Sequence, residues 1–323
     1  MQTNEINNDC PVCNSKNLKF YFFGFDMLYR VVATRYSIYK CNRCKAFFIN
    51  PFPSQKETEL FYPKNYYSYN TDGETGFLST LRKNIISFYF EPEIRFGIID
   101  KMFISLSKNK FSGIPLYVKR GGNFLDIGCG KGENLKILKK YGWNVFGIEL
   151  DSSAVGYAQK SGLNVQNLSL EEVDYGLTKF DSIRIWHVFE HLTNPNAALK
   201  KIKSLLNDNG EILMAVPNTN SFARLIFRKY WYGLDVPRHI INYSPKTIRY
   251  ILNKHGLVCE KIVYSSCGSF IGSISNFIRH KFNYSGNLID NLFLVILFYP
   301  VDILSDFLRR GDTIFLTIKK KGG

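Results

Sequence analysis

The sequence predicts an α/β fold: a largely parallel sheet with helices on both faces, preceded by a small cysteine-bearing module. Three observations carry this reading. Strand-like and helix-like runs alternate from Phe124 to Val216, a glycine-rich turn ("DIGCGKG") joins the first such strand to the first helix, and two CxxC pairs open the chain. Parallel neighbours need a crossover, so alternation of this kind builds βαβ units.

The chain has 323 residues, enough for one large core and a smaller module, and its 45% hydrophobic share is that of an ordinary soluble globular protein. The opening "MQTNEINNDC" lacks a basic start and an apolar core, so no secretory signal is expected. A cytoplasmic, reducing setting follows, with thiols rather than disulfides. The net charge of +15 is uneven: residues 1–75 carry +2, 76–121 +5, 122–216 −1, 217–281 +8 and 282–323 +1. The basic flanks suit an anionic phosphorylated substrate, membrane surface or nucleic acid, unless they are a merely solvated Lys-rich surface.

The cysteines are Cys10 and Cys13 in "CPVC" and Cys41 and Cys44 in "CNRC", with the β-rich "KFYFFGFD" and "YSIYK" between them. Two such pairs can offer four thiolates tetrahedrally to one zinc, and four thiolates leave no open position, so the metal would be structural. The expected organisation is a zinc-binding module at 1–55 and a linker with amphipathic helices at 56–121. A core at 122–265 with a lid at 217–243 follows, then a helical insertion and final strand at 266–323.

Within the core, Phe124–Ile127, Val145–Glu149, Phe180–Trp186 and Glu211–Val216 read as strands, and Glu133–Tyr141, Ser153–Ser161 and Asn196–Leu206 as helices. Ser244 with Pro245 marks a helix start. The apolar run Leu288–Leu308 is interrupted by Asp290, Pro300, Asp302 and Asp306, so it reads as an amphipathic helix, buried or on a surface, rather than a membrane span. The closing "TIFLTIKKK" reads as a last strand.

A turn without side chains lets backbone N–H groups approach a ligand at a helix N-terminus. The spacing here is G-x-G-x-G (Gly128, Gly130, Gly132), with Glu133 where a dinucleotide fingerprint has its third glycine. A glutamate there opposes a pyrophosphate, and Asp126 suits a cationic amino group better than a phosphate. Glu149, at the end of the next strand, is placed to accept ribose hydroxyls. A nucleoside bearing an amino acid satisfies the set, which points to S-adenosylmethionine.

"LDIGCGKG", "VFGIELD" and "FDSIRIWHVFEHLTNP" together resemble the successive motifs of class I S-adenosylmethionine-dependent methyltransferases, and most of all the branch holding ubiquinone O-methyltransferases and bacterial glycan and small-molecule methyltransferases. The resemblance spans roughly Phe124 to Val263. "CPVC…CNRC…NPFPS…YY" is similar to a zinc module preceding some bacterial members. The resemblance implies a Rossmann-like sheet with Asp126, Gly128, Cys129, Gly130 and Gly132 along the methionine end of the cofactor. Glu149 would meet the ribose, Leu150 would pack on the adenine, Ser169 and Leu170 would lie at the adenine edge, and His187 would border the cofactor. Relatives often carry an acid at the adenine edge, where this chain has Ser169 followed by Glu171 and Glu172.

For the acceptor, residues just after the fourth strand are placed to act, because crevices form beyond the carboxyl ends of such strands. His187, Glu190 and His191 fall at i, i+3 and i+4, one face if a helix begins there. In ubiquinone O-methyltransferases two glutamates and a histidine at this spacing bind a divalent metal; His187 stands in the first glutamate position. No "NPPY" or "DPPY" follows, which disfavours exocyclic amines of bases. The lid "YWYGLDVPRHI" resembles a substrate-side loop, with Trp231, Tyr232, Arg238 and also His191 as acceptor contacts. His239 is the first choice for general base and His187 the second, since an imidazole titrates near neutral pH.

The expected function is O-methylation of a sugar, glycan precursor or other polar small molecule. Alternatives are an RNA methyltransferase, ranked lower, or a cofactor-binding scaffold recruiting a partner through the zinc module. Contact with an inner membrane face or a lipid-linked acceptor would fit Leu288–Leu308 and the basic aromatic stretches near Lys83 and Arg95.

Overall fold

The computed structural model describes residues 8–54, 57, 58, 60–62, 97, 121–266, 268–284, 286, 288 and 291–322. The amphipathic helices expected between Gly76 and Tyr117, with Lys83 and Arg95, lie outside the described residues.

The strands are β1 (Leu18–Gly24), β2 (Tyr36–Cys41), β3 (Phe47–Ile49), β4 (Asn123–Ile127), β5 (Asn144–Ile148), β6 (Asn164–Gln166), β7 (Phe180–Trp186), β8 (Leu206–Pro217), β9 (Ile241–Asn242), β10 (Leu257–Ser265) and β11 (Thr313–Lys320). The helices are α1 (Glu133–Lys140), α2 (Ser152–Lys160), α3 (Pro195–Leu205), α4 (Phe222–Phe227), α5 (Pro245–Lys254), α6 (Ser269–Phe282) and α7 (Leu292–Phe307). The chain divides into two compact units. One draws on residues 1–63, 187–203 and 214–323, the other on 64–186 and 204–213.

The second unit is the α/β body. Its strand order is β8-β7-β4-β5-β6, with β4 parallel to both β5 and β7, and β5 parallel to β6. The core gathers Phe124, Leu135, Leu138, Trp143, Val155 and Val165, and Phe124 meets Trp143 edge to face at 5.8 Å, the geometry aromatic quadrupoles prefer. Asp151 opens α2 by accepting from Ala154 N at 2.6 Å, satisfying one of the orphan donors of the first turn.

The first unit holds an antiparallel sheet in the order β1-β2-β3-β9. β9 comes from the end of the segment expected as a lid, and it pairs Phe47 with Asn242 and Phe48 with Ile241. A two-residue strand is invisible to periodicity, so nothing local in the sequence announces this joining of lid and cysteine module. The same unit carries the antiparallel pair β10–β11 beside the end of β8. Its core includes Ile38, Phe61, Trp231, Leu234, Val236 and Phe270. Ser244 accepts from Thr247 N at 3.1 Å with Pro245 following, so α5 starts where the sequence places it.

The helical insertion before the last strand is α6 and α7. α7 turns its polar residues inward: Asp302 and Ser305 are buried, while Phe293, Ile296, Leu297, Leu304 and Phe307 are exposed. Asp302 accepts from Gly268 N, the residue capping α6, at 3.1 Å, where a helix N-terminus favours a carboxylate. Among the described residues no helix is long and apolar enough to cross a membrane.

Candidate functional site

In the second unit, β4 runs straight into the glycine turn. Gly128, Gly130 and Gly132 have φ of 70°, 54° and 78°, a region in which side chains are strained. Gly128 N and Cys129 N both donate to Ile148 O, at 2.9 and 3.2 Å, fixing the turn to the end of β5. A Cβ on Gly132 would stand 2.4 Å from Leu163 Cδ1. Close packing at the start of α1 therefore demands glycine as firmly as the dihedral does.

Glu149 folds its carboxylate onto this turn. Its Oε2 accepts from Gly130 N at 2.9 Å, and its Oε1 accepts from Leu150 N and Asp151 N at 2.8 and 3.0 Å. A carboxylate has about four acceptor positions, so one position on Oε2 remains for a hydroxyl. Leu150 beside it is 71% exposed, an apolar surface open to a planar ring. Ser169 and Glu172 close a reciprocal turn, Ser169 Oγ donating to Glu172 Oε2 at 2.7 Å. That bond, with the one from Ser169 N, holds the Glu172 carboxyl below its usual range. The Glu172 carboxylate is thus held against Ser169, three residues before it. Leu170 and Cys129 are buried. These features fit the sugar and ring of an adenosyl group.

Asp126 departs from expectation. It is fully buried, and Arg184 on β7 donates to both its oxygens at 2.9 and 3.1 Å. Burial raises its carboxyl while Arg184 opposes the rise. An internal guanidinium thus fills the place assigned to a ligand's amino group, and nothing in the sequence singled out Arg184.

In the first unit, His187 follows the last residue of β7 with φ of 54°, outside the short 3₁₀ turn Phe189–His191. A non-glycine residue in that region stores strain of the kind that gathers at functional sites. The expected shared helical face is therefore absent, yet His187 Nδ1 still donates to Glu190 Oε1 at 3.1 Å. Glu190 is fully buried and its Oε2 has no hydrogen-bond partner among the described residues. Burial alone would raise its carboxyl; the hydrogen bond from His187 and the surrounding imidazoles outweigh it and hold it low.

His239 arrives from the lid segment. Its Nδ1 donates to Gly233 O at 2.9 Å, and its Nε2 stands 3.9 Å from Glu190 Oε1. His191 donates through Nδ1 to Arg238 O at 2.9 Å, with the Tyr62 hydroxyl 3.2 Å away. Burial and the nearby His239 push His191 down to about 4, so it stays neutral near pH 7. The two rings meet edge to face at 4.9 Å.

Two residues expected at the acceptor are internal instead. Trp231 is buried and donates to Asp312 Oδ1 at 2.9 Å. Arg238 is buried among Asp235, Asp26 and Phe61 O, with Nη2 2.7 Å from Asp26 Oδ1. It fastens the lid segment to the module before it. Tyr232 is half-buried, its N donating to Ser273 Oγ at 3.0 Å.

The four cysteines converge. Cys10 and Cys44 sulfurs lie 3.5 Å apart, as do those of Cys13 and Cys41, near the ~3.8 Å edge of a tetrahedron with 2.3 Å zinc–sulfur bonds. The two loops are built alike: Asn14 N donates to Cys10 O and Lys45 N to Cys41 O, at 2.9 and 3.0 Å, with Asn14 and Lys45 both at positive φ. All four thiols are buried, and the donor set fits a closed tetrathiolate site.

Residues 104–262 match the family described as a methyltransferase domain. The chain is similar to the ubiquinone biosynthesis O-methyltransferases of Coxiella burnetii (26% identical over 133 residues, 39% of this chain and 54% of that protein) and Rhodopseudomonas palustris (32% over 114 residues, 33% and 45%). It thus spans about half the length of these curated relatives. Among solved structures it is similar to the magnesium protoporphyrin IX methyltransferase of Synechocystis PCC 6803, at 14% identity and a TM-score of 0.46 over 82% of this chain and 99% of that one. The family match and these relatives support reading residues 104–262 as a class I S-adenosylmethionine-dependent methyltransferase domain.

Proposed function

We propose that the chain moves a methyl group from S-adenosylmethionine to a hydroxyl of a polar small molecule, such as a sugar or glycan precursor. The observation carrying this reading is the positive-φ glycine turn capped by the Glu149 carboxylate, inside the matched methyltransferase domain. The sulfonium supplies an already activated methyl carbon. The acceptor oxygen forms the new C–O bond as the C–S bond breaks, and S-adenosylhomocysteine leaves.

The protein's work is alignment and removal of the hydroxyl proton. His187 suits the second task better than His239, reversing the order expected from sequence. Its ring is one-third exposed, against 12% for His239, and Glu190 orients it through Nδ1, leaving Nε2 to take the proton. Glu149 holds the ribose and Leu150 backs the adenine. The tetrathiolate zinc at Cys10, Cys13, Cys41 and Cys44 has no open position and serves folding. The exposed apolar face of α7 favours one second reading, a lipid-linked acceptor of the same polar class.

A screen with methyl-labelled cofactor over sugar nucleotides, lipid extracts and RNA tests the assignment. Label entering a sugar or lipid-linked sugar is expected, with His187→Ala lowering turnover by about 10²–10⁴. Label entering RNA alone would replace the reading.

A further inference from the structure

We propose that α7 is a self-association surface, through which two copies of this chain pair antiparallel about a two-fold axis at Pro300. The helix is inverted relative to an ordinary surface helix. Asp302 and Ser305 are buried, while Phe293, Ile296, Leu297, Ile303, Leu304 and Phe307 are exposed, the two phenylalanines at 72% and 81%. Counted from Phe293, these positions fall at i, i+3, i+4, i+10, i+11 and i+14, with the exposed Pro300 at i+7. That is the apolar stripe by which a helix faces a core or a partner helix. Here it faces solvent.

The stripe is symmetric about Pro300. Phe293 and Phe307 stand seven positions either side of it, Ile296 and Leu304 four, Leu297 and Ile303 three, and the polar Asn291 and Arg309 nine. A two-fold contact sets one patch against itself, so each residue must suit its mirror position on the other copy. Antiparallel pairing about residue 300 sets Phe293 against Phe307 of the second copy, Ile296 against its Leu304, and Leu297 against its Ile303. Every such pair is apolar, and the stripe ends on a polar residue at both sides. The pairing also opposes the two helix dipoles.

The inner face of α7 fixes this orientation. Asp302 accepts from Gly268 N at 3.1 Å, Ser305 Oγ donates to Val301 O at 2.7 Å, and Phe298 packs on the core of its unit. The only charged residues of the helix are Asp302, buried, and Asp306, partly buried, so none stands on the outer stripe. The area is sufficient as well. Each of the six side chains offers on the order of 100 Å², so pairing buries about 600 Å² per copy and about 1,200 Å² in total, the lower bound of a stable interface. Patches of that size left open mark interaction sites. A bilayer would ask only for apolar exposure; the mirror symmetry of the stripe is what a second copy requires.

Sedimentation velocity on the full chain, free of detergent, reads the mass, and a species of twice 37.3 kDa is expected at micromolar concentration. Leu297→Glu and Ile303→Lys should each weaken association by about 100-fold or more, because each buries an unpaired charge at two mirror points. The double variant should recover association, since the new carboxylate of one copy meets the new ammonium of the other. Crosslinking reads the register. Pro300→Cys, treated with a short bis-maleimide, should link to its twin, whereas Asn291→Cys should not, its twin lying about 27 Å away along the pair. Circular dichroism and thermal melting report that each variant is folded. A monomeric wild type, association untouched by Leu297→Glu, or equal linking at 291 and 300 would overturn the pairing. A monomer that sediments with phosphatidylglycerol vesicles would likewise overturn it and give the face to a lipid surface.

Discussion

The two candidate centres are built by different means. The glycine turn of the α/β unit is made of backbone: three positive-φ glycines and one carboxylate that accepts three N–H bonds. The cluster of the other unit is made of side chains, brought together when the segment after β8 returns so that His191 can reach Arg238 O, 47 positions away. A centre built from backbone has its geometry written in local spacing. One built from side chains depends on a long-range closure that no local pattern announces.

The largest expected effect strikes the side-chain centre at its support. Arg238→Met leaves Asp26 and Asp235 buried without their cation, and breaking a buried pair costs about 3–5 kcal/mol. Urea unfolding should register that loss; a change under 1 kcal/mol would mean that Arg238 does not fasten the lid segment. Gly132→Val attacks the backbone centre. It combines a strained φ with a Cβ pressed on Leu163, for about 3 kcal/mol, and S-adenosylmethionine binding should vanish with it. Retained affinity would show that the turn tolerates side chains and is no backbone-defined site.

A pH effect on the order of 2 kcal/mol is expected at Asp312. Burial raises its carboxyl to about 6, so the folded state favours the neutral form. The stability this lends is complete below pH 4 and is lost as pH rises through 6. Asp312→Asn keeps an acceptor for Trp231 Nε1 and never ionises. The variant should match the wild type near pH 4 and exceed it above pH 6. A gap that does not change with pH would remove the burial argument.

The same contrast sets what was legible in the sequence. Strands β4, β5, β7, β8 and β11 and the helices around them follow apolar periodicity, and α5 starts at the Ser–Pro pair because capping is local. The cysteine module is legible since CxxC spacing already encodes its loops. β3–β9 pairing is not: β9 has two residues, and its partner lies far off in sequence. Trp231, Arg238 and Asp126 carry the residue types of a ligand site, but Asp312, Asp26 and Arg184 occupy them internally. Which partner a charged side chain finds is decided by folding, and composition is silent on it.

The central claim is that the backbone-built turn holds the cofactor while the side-chain cluster does not. Calorimetric titration of S-adenosylmethionine into the wild type, Glu149→Ala and His239→Ala tests it directly. The account predicts binding by the wild type, affinity about tenfold weaker in Glu149→Ala, where one charge-assisted acceptor of about 1.4 kcal/mol is removed, and unchanged affinity in His239→Ala. No binding by the wild type, equal affinity in Glu149→Ala, or loss of binding in His239→Ala would contradict it.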